Sequence, residues 1–275
     1  MHPFFLPAPG RTLCCVYYPP LASVATCGSV LYVPAFAEEM HKARRMVAEQ
    51  ARRLARQGFG VLVLDPTGCG DSSGDFGDAR WDLWLEDCRL ALHWLNQNAG
   101  GPSVLWGLRL GAMLALEVAH RHSDRVRAVL LWQPITNGSH YLTELLRIKV
   151  GGEMIGGRKT SVGQLRQTLS AGEAVEIGGY SIASDLARAL DGRSLSMFAT
   201  PGLGAAWLEL VPDITSSIAP ASQRTIADIV TAGMDIAVEP VPGNPFWLWD
   251  AQDITECPEL LARTDKVVDV MLTQL

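Results

Sequence analysis

Apolar and polar positions along this chain fall into blocks that alternate between two periods. Phe4–Leu6 and Leu13–Tyr18 are apolar runs on either side of Pro7-Ala8-Pro9-Gly10-Arg11, the pattern of an antiparallel hairpin. Ser29–Val33 predicts a short buried strand. Met46, Val47, Ala51, Leu54 and Ala55 then recur at helical spacing, with Gly58 as the stop. Phe59–Asp65 is another continuous apolar strand, so this strand–helix–strand unit implies a right-handed crossover and a parallel pair.

The alternation continues through a loop over Asp65–Gly74, a helix from about Ala79 to Asn98, and a strand over Ser103–Leu108. A helix to about His120 and a strand over Val126–Trp132 follow. The expectation is an α/β fold with a mostly parallel, doubly wound sheet. From Gln133 to about Ala199 the alternation breaks. Helical patterns over Tyr141–Val150 and Ser184–Leu190, with a capping box at Ser161–Gln164, predict a small helical cap insertion. It would lie over the strand tips, where such sheets bind ligands. The sheet resumes at Ala205–Val211, followed by a helix near Ser222–Ala232 and a strand at Ile236–Val241. Asp253-Ile254-Thr255 leads into a C-terminal helix with Thr255 as its cap. The economical organisation is one domain over residues 1–275.

The totals narrow the function. With 48% hydrophobic content over 275 residues the chain can bury one large core. A net charge of −6 gives no electrostatic reason to expect nucleic acid. The basic residues from Lys42 to Arg56 are interleaved with Glu49 and apolar positions, as on a solvated helix face. Six cysteines are scattered without metal-ligand spacing, so reduced thiols, no metal and no cofactor are expected. Cys14 and Cys15 are adjacent in a strand and face opposite ways. No run is long enough for a membrane span and no signal peptide is evident, so the expected location is cytoplasmic.

The segment with most to say about chemistry is Ser103–Leu116, where an apolar run ends in Gly107-Leu108-Arg109-Leu110-Gly111 and passes directly into a helix. Two glycines flanking the central residue let a strand reverse into a helix with almost no space between them. Together with Leu31–Phe36, the Asp65–Gly74 loop and the 133–199 insertion, this order resembles an α/β-hydrolase along nearly its full length. More narrowly, Pro34-Ala-Phe-Ala-Glu-Glu-Met-His-Lys-Ala-Arg-Arg-Met46 with Trp106-Gly-Leu-Arg-Leu-Gly-Ala112 resembles the second type of exosortase A system-associated hydrolase. Those proteins belong to bacteria that sort exported proteins and make exopolysaccharide.

The resemblance implies a nucleophile elbow, Gly-x-Ser-x-Gly, and a triad in the chain order Ser, Asp or Glu, His. Here the elbow carries Arg109. The histidines are His2, His41, His93, His120, His122 and His140, so none follows residue 140. Asn244 or Pro245 stands where the histidine belongs, and Asp213 is the candidate for the acid. The standard serine mechanism is therefore excluded by inventory. Backbone oxyanion donors survive side-chain changes, and would come from Leu110 and a residue near Phe36 or Ala37. The expected ligand pocket comprises Phe36, Ala37, Glu38, Leu108, Leu110, Asn244 and Phe246.

Three readings of Arg109 stay open: it pairs with Glu38 or Glu39 and holds the site shut, its planar fork binds a ligand carboxylate or phosphate, or it has a surface role. Glu39 or His41 could serve as a general base for attack by water; otherwise the glutamates complement a helix dipole and His41 is exposed. His140 could reach the pocket or face solvent. Cys69, Ser72 and Ser73 are weak candidates for a displaced nucleophile, since no histidine is placed to activate them. Gly68-x-Gly70-x-x-x-Gly74 has its third glycine one place late for a dinucleotide loop. Trp81, Trp84 and Trp94 fit core packing, while Phe246–Trp249 could line the pocket, face a partner or be plainly buried. The favoured function is a non-catalytic or non-standard member binding an acyl or anionic ligand, or a protein partner of the exosortase system. The alternative is hydrolysis of an ester, thioester or acylated carbohydrate by a water mechanism.

Overall fold

The computed structural model describes residues 1–157, 159–249 and 255–273. In chain order it contains β1 (His2–Ala8), β2 (Arg11–Tyr18), β3 (Gly28–Val33), α1 (Glu38–Arg56), β4 (Phe59–Leu64), α2 (Trp81–Asn98) and β5 (Ser103–Leu108). Next come α3 (Leu110–Arg121), β6 (Val126–Trp132), α4 (Gly138–Ile155), α5 (Val162–Ser170), β7 (Val175–Ile177), β8 (Tyr180–Ile182) and α6 (Ser184–Asp191). The chain closes with β9 (Gly204–Val211), α7 (Pro220–Thr231), β10 (Asp235–Pro242) and α8 (Pro258–Thr273).

One sheet runs in the order β1-β2-β4-β3-β5-β6-β9-β10. The β1–β2 hairpin is antiparallel and β2 is antiparallel to β4, whereas every pairing from β4 through β10 is parallel. All residues of β3 and β5 are buried, because helices cover both faces and a parallel sheet leaves no side for water. The period-two alternation sorts β5 between two cores. Val104 and Trp106 face α1 and α8, packing with Met46, Leu54 and Leu260. Leu105 faces α2 and α3, packing with Leu92 and Met113. Trp106 sits between Tyr32, tilted against it, and Trp132, edge to face, with ring centroids 4.5 and 4.7 Å away. Truncating a side chain so placed costs about 3–5 kcal/mol.

Three departures from the sequence reading have physical causes. Helix α4 continues through Gly151-Gly152 to Ile155, because glycine lowers helix stability without preventing the conformation. The β7–β8 hairpin went unpredicted, since three residues a side are too few to show an alternation. Helix α8 starts at Pro258, whose missing N–H costs nothing at the first helical position, so Thr255 is not its cap. Asp253 and Ile254 lie outside the described residues. The Ser161–Gln164 capping box opens α5 as expected. Trp81 and Trp84 are core residues, and Trp94 packs against Phe4 and Tyr17. All six cysteines are free, Cys15 buried and Cys14 half-buried. Among the described residues no helix is long and apolar enough to cross a membrane.

Candidate functional site

Two strand-to-helix junctions at the carboxyl edge of the sheet build the site. Between β5 and α3, Arg109 adopts φ 54°, ψ −119°; between β3 and α1, Ala37 adopts φ 51°, ψ −127°. A non-glycine residue at positive φ costs on the order of 1–3 kcal/mol, and such strain gathers where a fold must aim a particular group. The flanking glycines make the Arg109 turn possible. A Cβ on Gly107 would fall 2.4 Å from Ala112 Cα, and one on Gly111 would fall 2.2 Å from Pro34 O. The two junctions therefore lie backbone against backbone.

The Arg109 side chain is nearly buried, and its guanidinium donates from Nε and Nη2 to one oxygen of Glu39, at 3.3 and 3.2 Å. The other Glu39 oxygen accepts from the Tyr141 hydroxyl at 3.1 Å. The Tyr141 and Trp247 rings lie 5.7 and 5.6 Å from the guanidinium carbon. A cation beginning a helix opposes the helix dipole, so Arg109 needs this anion and these aromatic faces. Burial pushes the Glu39 carboxyl up, and the charge and hydrogen bonds of Arg109 only partly offset it. Arg109 keeps its charge: burial is the largest influence and would lower its pKa, but the charge and hydrogen bond of Glu39 together with Tyr141 and Glu144 outweigh it.

Glu38 is tied to the insertion in the same way as Glu39. The Tyr180 hydroxyl donates to it at 3.1 Å, and burial together with that carboxylate pushes the phenol up to about 12. His41 is exposed, its ring 6.4 Å from that of Tyr180. Neither the Ala37 nor the Leu110 backbone N–H meets an acceptor among the described residues. Beside them Phe36, Cys69, Trp81, Trp84 and Leu110 line a narrow apolar gap of about 10 Å³ that opens to solvent.

Phe36 meets Tyr141 edge to face, beside the Glu39–Arg109 pair. Leu108 instead turns into the α1–α8 core. Asn244 is exposed, and Phe246 reaches the site only through Trp247, which it packs against at 4.9 Å. His140 is exposed. Asp213 closes on its own loop, accepting from Thr215 and Ser216. The residues that sequence reasoning missed are Tyr141 and Tyr180. Trp247 lies in the aromatic run already singled out, whereas the tyrosines carry no local signal.

The Gly-rich loop offers neither a nucleophile nor a phosphate cradle. Burial pushes the Cys69 thiol up to about 12. Ser72 Oγ donates to Asp65 O and accepts from Cys14 N, and Ser73 Oγ accepts from Thr12 N. The Gly68, Cys69 and Ser72 amides bond within the loop itself. Ligand atoms of Cys14, Asp65 and Asp71 come within 4.8 Å of one another, with Arg44 2.9 Å from Asp65 supplying the positive charge there.

Residues 26–175, more than half of the chain, match the family described as serine aminopeptidase, S33. No curated protein matches the chain. Similar solved structures include ferulic acid-bound Est1E from Butyrivibrio proteoclasticus, with TM-score 0.71, 13% identity, and 98% of this chain and 99% of that one covered. A thermostable carboxyl esterase from Bacillus coagulans, in complex with glycerol, has TM-score 0.68 and 14% identity over 98% of both chains. Alpha/beta hydrolase domain-containing protein 10 from mouse has TM-score 0.62 and 17% identity over 98% of this chain and 100% of its own. At such identities the likeness is one of fold. Sheet order, elbow and family match agree, and the chain belongs to the S33 serine aminopeptidase family of α/β-hydrolases.

Proposed function

We propose that this family member holds an acyl or anionic ligand against Arg109 and forms no acyl-enzyme. Its setting would be the cytoplasmic side of the exosortase and exopolysaccharide system that its sequence resembles, with a protein of that system as the alternative partner. The observation that carries the reading is the guanidinium at the nucleophile position. Its Nε and Nη2 are occupied by Glu39, while Nη1 meets no acceptor among the described residues. The N–H groups of Ala37 and Leu110 begin two helices whose positive ends converge there, which favours an anion or a polarised carbonyl. Acyl transfer would need a hydroxyl beside a base, and an arginine can be neither.

Calorimetric titration with hexanoate, benzoate and acetyl phosphate tests this. Wild-type protein should bind at least one saturably. Arg109→Lys, which keeps the charge but loses the fork, should bind it at least about ten-fold more weakly. No binding by the wild type, or equal binding by the variant, would overturn the reading.

A second reading is supported by the elevated carboxyl of Glu39, a property suited to a general base. Glu39, or His41 in its place, would activate water for hydrolysis of an ester or thioester. Glu39 could act only after Tyr141 or Arg109 releases one of its oxygens. Turnover of p-nitrophenyl acetate that disappears in Glu39→Gln or His41→Ala would favour this reading over ligand binding alone.

A further inference from the structure

Helix α4 has two halves of opposite character. Up to Leu146 it is anchored, with Tyr141, Leu142, Leu145 and Leu146 buried in the core and Tyr141 reaching Glu39. Beyond Leu146 no described residue of the helix is buried, and a Cβ placed on Gly151 or Gly152 would meet nothing within 4 Å. The last two turns therefore project from the body.

Their amphipathicity is inverted. The side turned towards the protein carries the Lys149–Glu153 ion pair at 3.2 Å, with Val150 resting on the core edge. The outward side carries Ile148, Met154 and Ile155, which are 43%, 67% and 91% exposed. Ile148, Gly151, Gly152 and Ile155 recur at i, i+3, i+4 and i+7, so they form one stripe. A surface helix of a water-soluble body normally turns such a stripe inward. The charge around it is also reversed. Arg147 and Lys159 are exposed at this end, while Lys149 and Glu153 neutralise each other, in a chain whose net charge is −6.

We propose that the projecting end of α4 docks on an anionic lipid surface, with Ile148, Met154 and Ile155 entering the interface and Arg147 and Lys159 meeting headgroups. A short convex tip with a basic rim has the chemistry of an interfacial anchor, and it is far too short to span. A second copy of the chain fits poorly, because a two-fold contact through this face would bring basic rim against basic rim. Tyr141, whose hydroxyl donates to Glu39, lies nearer the start of the same helix. The inference does not depend on which ligand Arg109 holds.

Co-sedimentation of the full chain with phosphatidylcholine vesicles, with and without about 30% phosphatidylglycerol, tests it. Wild-type protein should bind the anionic vesicles, much less the neutral ones, and progressively less as salt rises. Met154→Ser/Ile155→Ser should lower the bound fraction at least about five-fold, as should Arg147→Glu/Lys159→Glu, each with an unchanged melting temperature. Absence of binding, equal binding to neutral vesicles, or wild-type binding by both variants would overturn the proposal. So would a dimer in light scattering that disappears in Met154→Ser/Ile155→Ser, since the stripe would then be a self-interface.

Discussion

Replacing Arg109 with methionine removes the cation while keeping an unbranched apolar stem against Tyr141 and Trp247. Glu39, 5% exposed in its side chain, then loses its counter-charge and keeps only the Tyr141 hydroxyl. Breaking a buried ion pair from one side costs about 3–5 kcal/mol. The lower end applies here, because Arg109 reaches only one carboxylate oxygen, at 3.2 and 3.3 Å, and is 17% exposed. The carboxyl also has an escape. Burial already raises its pKa, and losing Arg109 raises it further, so the variant binds a proton more tightly folded than unfolded. The sign follows: a raised carboxyl leaves the fold intact at low pH and costs stability as pH climbs through the folded-state value. Urea melts of Arg109→Met should show a deficit of about 3 kcal/mol at pH 8, shrinking to roughly 1 kcal/mol near pH 5. At pH 8 the thermal midpoint should fall by roughly 6–12 °C. Arg109→Met/Glu39→Gln, with no buried charge left, should recover at least half of the loss. A single variant within about 0.5 kcal/mol of wild type at pH 8, or a double variant as unstable as the single, would refute the pairing argument.

Three further outcomes follow from the same geometry. Arg109→Ser places a hydroxyl at the elbow, where no histidine is hydrogen-bonded to Arg109 among the described residues, so p-nitrophenyl ester turnover should stay at the buffer rate; appreciable turnover would show that Glu39, His41 or another group serves as its base. Glu117 accepts from Trp81 Nε1 at 2.7 Å, from Arg193 Nε at 2.9 Å and from Arg121, joining α2, α3 and the insertion. Burial pushes its carboxyl up, but these bonds together hold it below the ordinary glutamate range. That stabilisation is present above the ordinary glutamate value and is lost as pH falls through the depressed one. Glu117→Gln should therefore cost about 2 kcal/mol at neutral pH in urea melts and flatten the acid limb of the stability curve. At pH 8, peptide mapping after brief iodoacetamide treatment should find Cys27, which is exposed, modified well before Cys69, which is buried with its thiol pushed up to about 12.

Most of the architecture was legible because parallel strands buried on both faces appear as continuous apolar runs, and their crossover helices carry a clear 3.6 period. Ser103–Leu108 and Val126–Trp132 appear in the structure with those bounds. The elbow was legible for a different reason, since Gly107 and Gly111 record a close backbone approach that other residues would block. Ala37, at a similarly strained junction, left no such mark, because alanine occupies many conformations elsewhere. The pairing of Arg109 with one of the two glutamates was foreseeable from their shared sheet edge. The choice between them was not, because it depends on Tyr141 and Tyr180, each over a hundred residues away in the chain and each hydrogen-bonded to one carboxylate. Leu108 was expected in the pocket but packs in the core, since its position on the pleat decides its side and proximity to the elbow does not.

The proposed function rests on the Arg109–Glu39 ion pair at the turn between β5 and α3, the place where the sequence resemblance puts a nucleophile. Intact-protein mass spectrometry after prolonged exposure to a fluorophosphonate tests this most directly. The protein should keep its unmodified mass, under conditions in which a serine esterase run alongside is fully labelled. A stoichiometric adduct on any serine would contradict the account.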